Sequence, residues 1–547
     1  MNVRRIIGWD FIGWHRFSNV CRAAAGGILI ASVVGILAVG SRAAPPAKIA
    51  LQGGRIIPVV GSEIAQGTVL IENGKITAIG EKVEMPYDAM VVDVSGKVLF
   101  PGMISAHTWR GLDRANENLP VAAYLDVYDA IDPSSLYFED ALRKGMLAVQ
   151  VIQGNSCVIG GLSRLVHPIG LTPDEMTIRP SVALKLSTSP RSGFDRMSQM
   201  AAMREAFLEL EYYLENLAEK RYEEELKKKE KAEEEEEKGG DVALEDDVVL
   251  EDVGPDEARK RGRSLIRDED LDDQHRNLVR LKDGRLPAWI YCGAATDVGP
   301  AIETAKANGF LEHAVFVLGT ESYRAVEELK AAGRPVVLAS ELVHQERDPI
   351  TGELSETFVP TVIHEAGLLF ALQPSEDSSL AEGYLNYQAA RCVRHGVPRQ
   401  AALEAITLGP AKMLGVEDRL GSLEVGKAGY VVVLSGDPLD FNTWVEKAYI
   451  NGILAYDRTK DVRLKELLGL EEKAADKKKK EEEKAAEAKE GEKDAEKDAA
   501  KDKEKEADGK AEKDETKKSK EEEQKKEEKD DEPPKQEPAE SPAGANR

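Results

Sequence analysis

The chain has 547 residues, of which 32% are charged, and a formal net charge of −25 at neutral pH. That length exceeds one compact core and fits two folded parts plus non-globular segments. The acidity argues against a nucleic-acid partner, because phosphate binding needs a basic footprint and basic residues cluster here only in mixed Lys/Glu tracts.

Arg4, Arg5, Arg16 and Arg22 precede the uncharged apolar run 23–40, and Ser41-Arg42-Ala43 follows just before Pro45-Pro46. A basic start, an apolar stretch and a small-residue site read as a signal over residues 1–44, with export to the periplasm or cell envelope as the expectation. The run is also close to the length of a membrane span, so an uncleaved membrane tether stands beside the cleaved signal. Cys21 lies in this segment. The other three cysteines, Cys157, Cys292 and Cys392, show no paired spacing, which points to buried small hydrophobes rather than a disulfide framework or zinc knuckle.

From Lys48 the texture changes to short alternating strands broken by glycine, in KIALQGGRIIPVV, GTVLIENGKITAIG and AMVVDVSGKVLFPG. Period-two alternation with Gly and Asn turns predicts an antiparallel β-unit over 48–100. GSLEVGKAGYVVVLSGDPLD and VEKAYINGILAYDR near the other end match it, so a second part over 418–460 completes a small β-sandwich domain.

Residues 101–417 alternate strand-like runs (MLAVQVI, SVALKL, AWIYC, AVFVL, PVVLA, LLFAL) with helical stretches such as SYRAVEELKAAG and NYQAARCVRHG. This pattern predicts βα units on a parallel sheet. The expected fold class is α/β, a TIM-like (β/α)8 barrel with its ligands at the C-terminal strand ends.

Two segments stand outside that plan. Met203, Phe207, Leu210, Leu214 and Leu217 form an apolar helical stripe, after which residues 222–284 turn strongly charged and read as a solvated helical extension with an acidic insertion. Residues 470–547 are mostly Lys, Glu, Asp and Ala. They hold too few apolar groups to offset chain entropy, so they read as disordered or as a fluctuating single helix acting as a solubilising spacer.

The junction KVLFPGMISAHTWRG carries the most specific signal. It resembles the amidohydrolase superfamily, and within it the imidazolonepropionase-like branch, where a Pro-Gly turn leads into a first barrel strand ending in His-x-His. KGMLAVQVIQGNSCVIGGLSRLV is similar to that family's second strand with its glycine-rich loop, and ITLGPAKMLGVEDRLGSLEVGKAGYVVVLSGDPLD to its closing segment. The resemblance implies a divalent metal, zinc, as cofactor. It also implies a small-molecule substrate and hydrolysis of non-peptide carbon–nitrogen bonds, as in cyclic amides. Strand periodicity points both histidines of such a pair to one side, where they can chelate one ion.

Here the pair is His107-Thr108-Trp109, so the second ligand position holds an indole, which cannot ligate zinc in its neutral form. The family's third histidine falls at Tyr291, with Cys292 in the neighbouring register, and its His-Gly-Thr-Glu turn becomes Leu318-Gly319-Thr320-Glu321. The general-base aspartate, itself a metal ligand, falls at Asp377, with Glu376 as its competitor. A carboxylated lysine found in some relatives falls at Lys185, whose plain structural reading is a strand-end lysine meeting a carboxylate or solvent. The other histidines show no mutual metal spacing, and His364 is the one placed just before the last strand.

Two functional readings follow. One is a metal-dependent amidohydrolase using His107, Asp377 and Lys185. The other is a non-catalytic pseudoenzyme, a scaffold or binding module that pairs with itself or with an intact relative, because Trp109, Tyr291 and Leu318 replace ligands with groups that fill a cavity.

Overall fold

The computed structural model describes residues 48–237, 253–375 and 381–469. The expected signal or tether over 1–44, the charged tail 470–547, and Glu376 and Asp377 lie outside the described residues.

In chain order the first strands are β1 (Lys48–Ile56), β2 (Ile64–Glu72), β3 (Lys75–Gly80), β4 (Met90–Asp93), β5 (Val98–Pro101), β6 (Met103–Thr108) and β7 (Met146–Val151). Next come β8 (Ile159–Leu162), β9 (Arg164–Val166), β10 (Thr177–Arg179), β11 (Leu184–Ser187), β12 (Ala288–Cys292), β13 (Ala314–Leu318) and β14 (Val336–Leu338). The series ends with β15 (Val343–Arg347), β16 (Leu354–Phe358), β17 (Phe370–Ala371), β18 (Val431–Leu434), β19 (Val445–Ile450) and β20 (Ile453–Asp457).

Strands from both ends of the chain form one sheet in the order β20-β19-β18-β5-β1-β2-β3, with β4 also paired to β1. Local chemistry sets its hairpins. Asn73-Gly74 and Asn451-Gly452 join β2 to β3 and β19 to β20 with positive φ at all four residues, as two-residue hairpin turns require. Alternation then sorts side chains between two cores. Phe100 opposite Val432 and Val98 opposite Leu434 pack into the large core, while Leu99 opposite Val433 packs into a smaller one with Ile49, Leu51, Val69 and Tyr449. The strands are joined in one hydrogen-bonded sheet that branches at β1, which pairs with β2, β4 and β5.

The central body is a mixed α/β fold with several sheets. β6 and β7 are parallel neighbours in a sheet ordered β10-β9-β7-β6, and β11, β12, β13, β14 and β17 run parallel in a sheet ordered β17-β14-β13-β12-β11-β8. Residues 159–166 link the two, because β9 pairs with β7 and β8 pairs with β11. At the outer ends, the Ile104 N–H donates to the Ile406 carbonyl and the Leu372 N–H to the Ala405 carbonyl, both at 3.0 Å. One short segment is thus held by the first strand and by the end of the last.

The apolar stripe forms the core side of a long helix, Arg196–Glu237, with Met203, Phe207, Leu210 and Leu214 buried. The charged segment after it is not uniformly solvated, which corrects the expectation for 222–284. Helix Asp273–Lys282 buries Leu278 and Leu281 in the large core, and Leu271 joins them. A three-residue spacing puts Leu278 and Leu281 on one helix face while the surrounding charges take the others, so average polarity concealed an amphipathic element. A two-stranded hairpin, β15 with β16, stands apart from the other sheets. Beyond Asp461 the chain forms a separate unit, whose described part contains the short helix Val462–Leu467.

Candidate functional site

β6 is buried along its whole length and delivers His107 to its C-terminal end, 3% exposed. β11 brings Lys185, fully buried, and the β11–β12 register sets Lys185 beside Trp289 and Ser187 beside Tyr291. Parallel neighbours share a face, so Lys185 and Tyr291 project to the same side. There Lys185 Nζ hydrogen-bonds Nε2 of His107 at 2.8 Å, donates to Oδ1 of Asn155 at 2.7 Å, and lies 5.7 Å from the Tyr291 ring centroid.

These groups sit at the base of a cavity of about 750 Å³. Its lining includes His107, Trp109, Asn116, Asn155, Tyr291, Val317, Leu318, Glu341, Gln345 and Gln373. Four of the sequence-expected positions, His107, Trp109, Tyr291 and Leu318, therefore converge, and Lys185 bonds to His107 directly behind them. Trp109 follows the end of β6 and carries the Arg110 guanidinium 5.1 Å from its ring centroid. The retained turn after Leu318 has a steric reason, since a Cβ on Gly319 would lie 2.2 Å from the Gly293 carbonyl oxygen.

The electrostatics favour a neutral imidazole. Burial first, and then the Lys185 charge, hold His107 well below the ordinary histidine range, with the Gln373 side chain pulling the other way. The contact joins Lys185 Nζ to Nε2, and which of the two donates follows the imidazole tautomer. Nδ1 of the ring has no hydrogen-bond partner of good geometry among the described residues. Burial, and secondarily the charge of Asp297, raise the Tyr291 phenol, so phenolate is disfavoured.

Cys292 does not substitute for Tyr291. It pairs in register with Leu318, its thiol sits 3.6 Å from the Thr188 hydroxyl, and burial pushes it up to about 12. Among the described residues no other histidine lines the cavity, although His344 bonds the hydroxyl of Thr320, which does. His364 meets the edge of Phe370, His395 stacks on Phe358, His275 stacks on Tyr213, and His167 bonds the Tyr430 hydroxyl. Lys185 does not reach solvent: it is wholly buried, and its Nζ bonds a histidine and an asparagine.

No group of three or more His, Cys, Asp or Glu able to hold a metal occurs among the described residues. Tested against zinc, the converging side chains fit poorly. An indole and an isobutyl group have no usable lone pair, and the one available imidazole nitrogen already faces an ammonium ion. Sequence reading missed the cavity's carboxamides, Asn116, Asn155, Gln345 and Gln373. The glycine-rich loop QGNSC was the signal for Asn155; the others lie in loops and a hairpin with no readable pattern.

Comparison with known proteins agrees with this architecture. Residues 381–456, which run from the last helices into the end of the shared sheet, match the Amidohydrolase family. Amidohydrolase tasK of Hapsidospora irregularis is 22% identical over 447 residues, which is 72% of this chain and 40% of that protein. The chain thus spans well under half of that relative's length. A 5'-deoxyadenosine deaminase of Methanosarcina mazei is 35% identical over 89 residues, covering 16% of this chain and 20% of that protein. Among solved structures, an amidohydrolase from Thermotoga maritima MSB8 aligns over 75% of this chain and 100% of its own, with a TM-score of 0.58 and 26% identity. The relatives matched are thus named as an amidohydrolase and a deaminase. The shared sheet built from both chain ends, the parallel strands delivering His107 to a cavity and these matches together place the chain in the amidohydrolase superfamily.

Proposed function

We propose that this chain is a small-molecule-binding pseudoenzyme of the amidohydrolase superfamily, in which the ammonium of Lys185 replaces the metal charge. The observation that carries the reading is the 2.8 Å bond from Lys185 to Nε2 of His107, in a cavity where Trp109 and Leu318 stand at ligand positions. A buried ammonium costs several kcal/mol unless it is paired, and here the imidazole, the Asn155 carbonyl and the Tyr291 ring receive it. The cavity then offers carboxamides as donors and acceptors between two aromatic walls, a setting for a small polar molecule.

The scaffold in this reading is a TIM-like (β/α)8 barrel of the imidazolonepropionase-like type. Supporting it are the run of parallel strands bridged by residues 159–166 and the shared grip of Ile104 and Leu372 on residues 405–406. Export and pairing with a second copy or an intact relative belong to the same proposal.

A second reading is metal-dependent hydrolysis of non-peptide carbon–nitrogen bonds, with His107, Lys185 and Asp377 as zinc ligands and Asp377 as general base. The position of a buried lysine against His107 and the deaminase relatives favour it. Metal analysis of the full chain, purified without chelators, separates the two. Zinc far below one equivalent is expected, and stoichiometric zinc would return the protein to the hydrolases.

A further inference from the structure

The shared sheet carries an apolar surface that the cavity reading does not use. Between β3 and β4 the chain reads Val83, Met85, Pro86, Tyr87, Ala89, Met90 and Val91, with few charges between. Tyr87 is fully exposed, Met90 and Val91 are 53% and 50% exposed, and Met85 is exposed as well. β4 pairs with β1 alone, so its other edge is open. Apolar side chains grouped on one short loop and an open strand edge mark an interaction surface, unlike scattered single exposures.

The place of this loop in the fold says what it meets. Met90 pairs with Ile49, and Asp88 bonds the Lys48 ammonium at 3.0 Å, so the patch surrounds the point where the chain enters β1. Seven residues upstream of Lys48, across 41–47, lies the uncharged run 23–40, whose 18 residues have the length a membrane span needs. Seven residues reach at most about 25 Å. A bilayer holding that run would lie within about 25 Å of Lys48, the residue that Asp88 of this loop bonds.

We infer that the Met85–Val91 loop is a membrane-apposed surface that rests in the lipid interface when the 23–40 run is inserted. Tyrosine suits that depth, with an apolar ring and a hydroxyl that stays wet. Neighbouring charges are mixed, with Lys82 among Glu81, Glu84 and Asp88, so the contact is apolar rather than a bond to anionic headgroups. Among the described residues no helix is long and apolar enough to cross a membrane.

The test uses the full chain with Cys21→Ser, reconstituted into phosphatidylcholine vesicles. One sample carries a fluorophore at Tyr87→Cys and another at Ile350→Cys, an exposed position in the β15–β16 turn. The native Cys157, Cys292 and Cys392 are buried. The expected result is several-fold stronger quenching of the Tyr87 label by lipid-borne nitroxide and several-fold protection from aqueous iodide, unchanged by added salt. Equal behaviour of the two labels overturns the inference, as does failure of the full chain to associate with the vesicles. Light scattering without vesicles supplies a further check. A dimer lost on combining Met85→Ser, Tyr87→Ser, Met90→Ser and Val91→Ser would assign the patch to a second copy and overturn the membrane reading.

Discussion

Lys185 and His107 are 78 residues apart in the chain, yet the lysine Nζ lies 2.8 Å from the histidine Nε2, with both side chains buried. Burial first, and then the nearby lysine, keep the imidazole neutral, and Nε2 is committed to the lysine nitrogen. In a metal site of this superfamily that imidazole nitrogen would face the ion. Burial, with this contact second, accounts for the depressed histidine.

Neutral burial of His107 makes stability pH-dependent. A histidine held below its unfolded value near 6.5 binds fewer protons folded than unfolded. Its contribution is therefore complete above pH 6.5 and is lost as pH falls from 6.5 toward the folded value. Between pH 6.5 and 5 stability should fall as the pH falls, because the unfolded chain takes up the proton that folded His107 excludes. Urea titrations of wild type and His107→Gln over that range check it, with the variant losing the slope. Equal slopes would show that His107 is not buried neutral.

Restoring ligands should restore metal only when the cation is removed. Combining Trp109→His, Tyr291→His and Leu318→His puts three imidazoles around one cavity, and this variant should hold more zinc than wild type. Adding Lys185→Ala frees Nε2 of His107 and should raise occupancy further, toward one equivalent. Elemental analysis of wild type, triple and quadruple variants reads the series. No gain at either step would mean that the ligand positions are assigned to the wrong residues.

The charged segment after the long helix should prove structural in part. Leu281 is fully buried in the large core and Leu278 nearly so. Leu281→Ala should cost about 2–5 kcal/mol in chemical denaturation, the range for a buried leucine that leaves a cavity. A loss under about 0.5 kcal/mol, typical of exposed positions, would instead support the solvated reading.

Removal of residues 470–547 should be almost silent. The segment is mostly Lys, Glu, Asp and Ala and contains no apolar pattern able to bury area. Thermal unfolding of the shortened chain should stay within a few degrees of the full chain. A larger fall would reveal packing of the tail on the folded part.

Much of the architecture was legible because it rests on short-range backbone geometry. Alternating residues in β1, β5 and β18 had to face two sides, Asn73-Gly74 and Asn451-Gly452 had to turn, and Met203 to Leu214 had to share a helix face. The residues at the cavity were partly legible. His107 lies near the end of a strand, and Trp109, Tyr291 and Leu318 were placed by the family resemblance, and the shared cavity lining brings them together. Leu278 and Leu281 escaped notice because two leucines three residues apart disappear in a charged average, although a helix gathers them on one side.

By itself, then, the sequence determined which segments alternate, turn and coil, that both ends supply strands of one texture, and that a histidine stands where its partner ligands are missing. Only the tertiary structure decided that Lys185 bonds that histidine, that Asn155 and Gln373 line its cavity beside the β15–β16 hairpin, and that strands from both ends join in one sheet. Side-chain periodicity follows from dihedral angles within a few residues. The meeting of β6 with β11 depends on how every intervening strand is staggered, a sum over the whole assembly that no local pattern records.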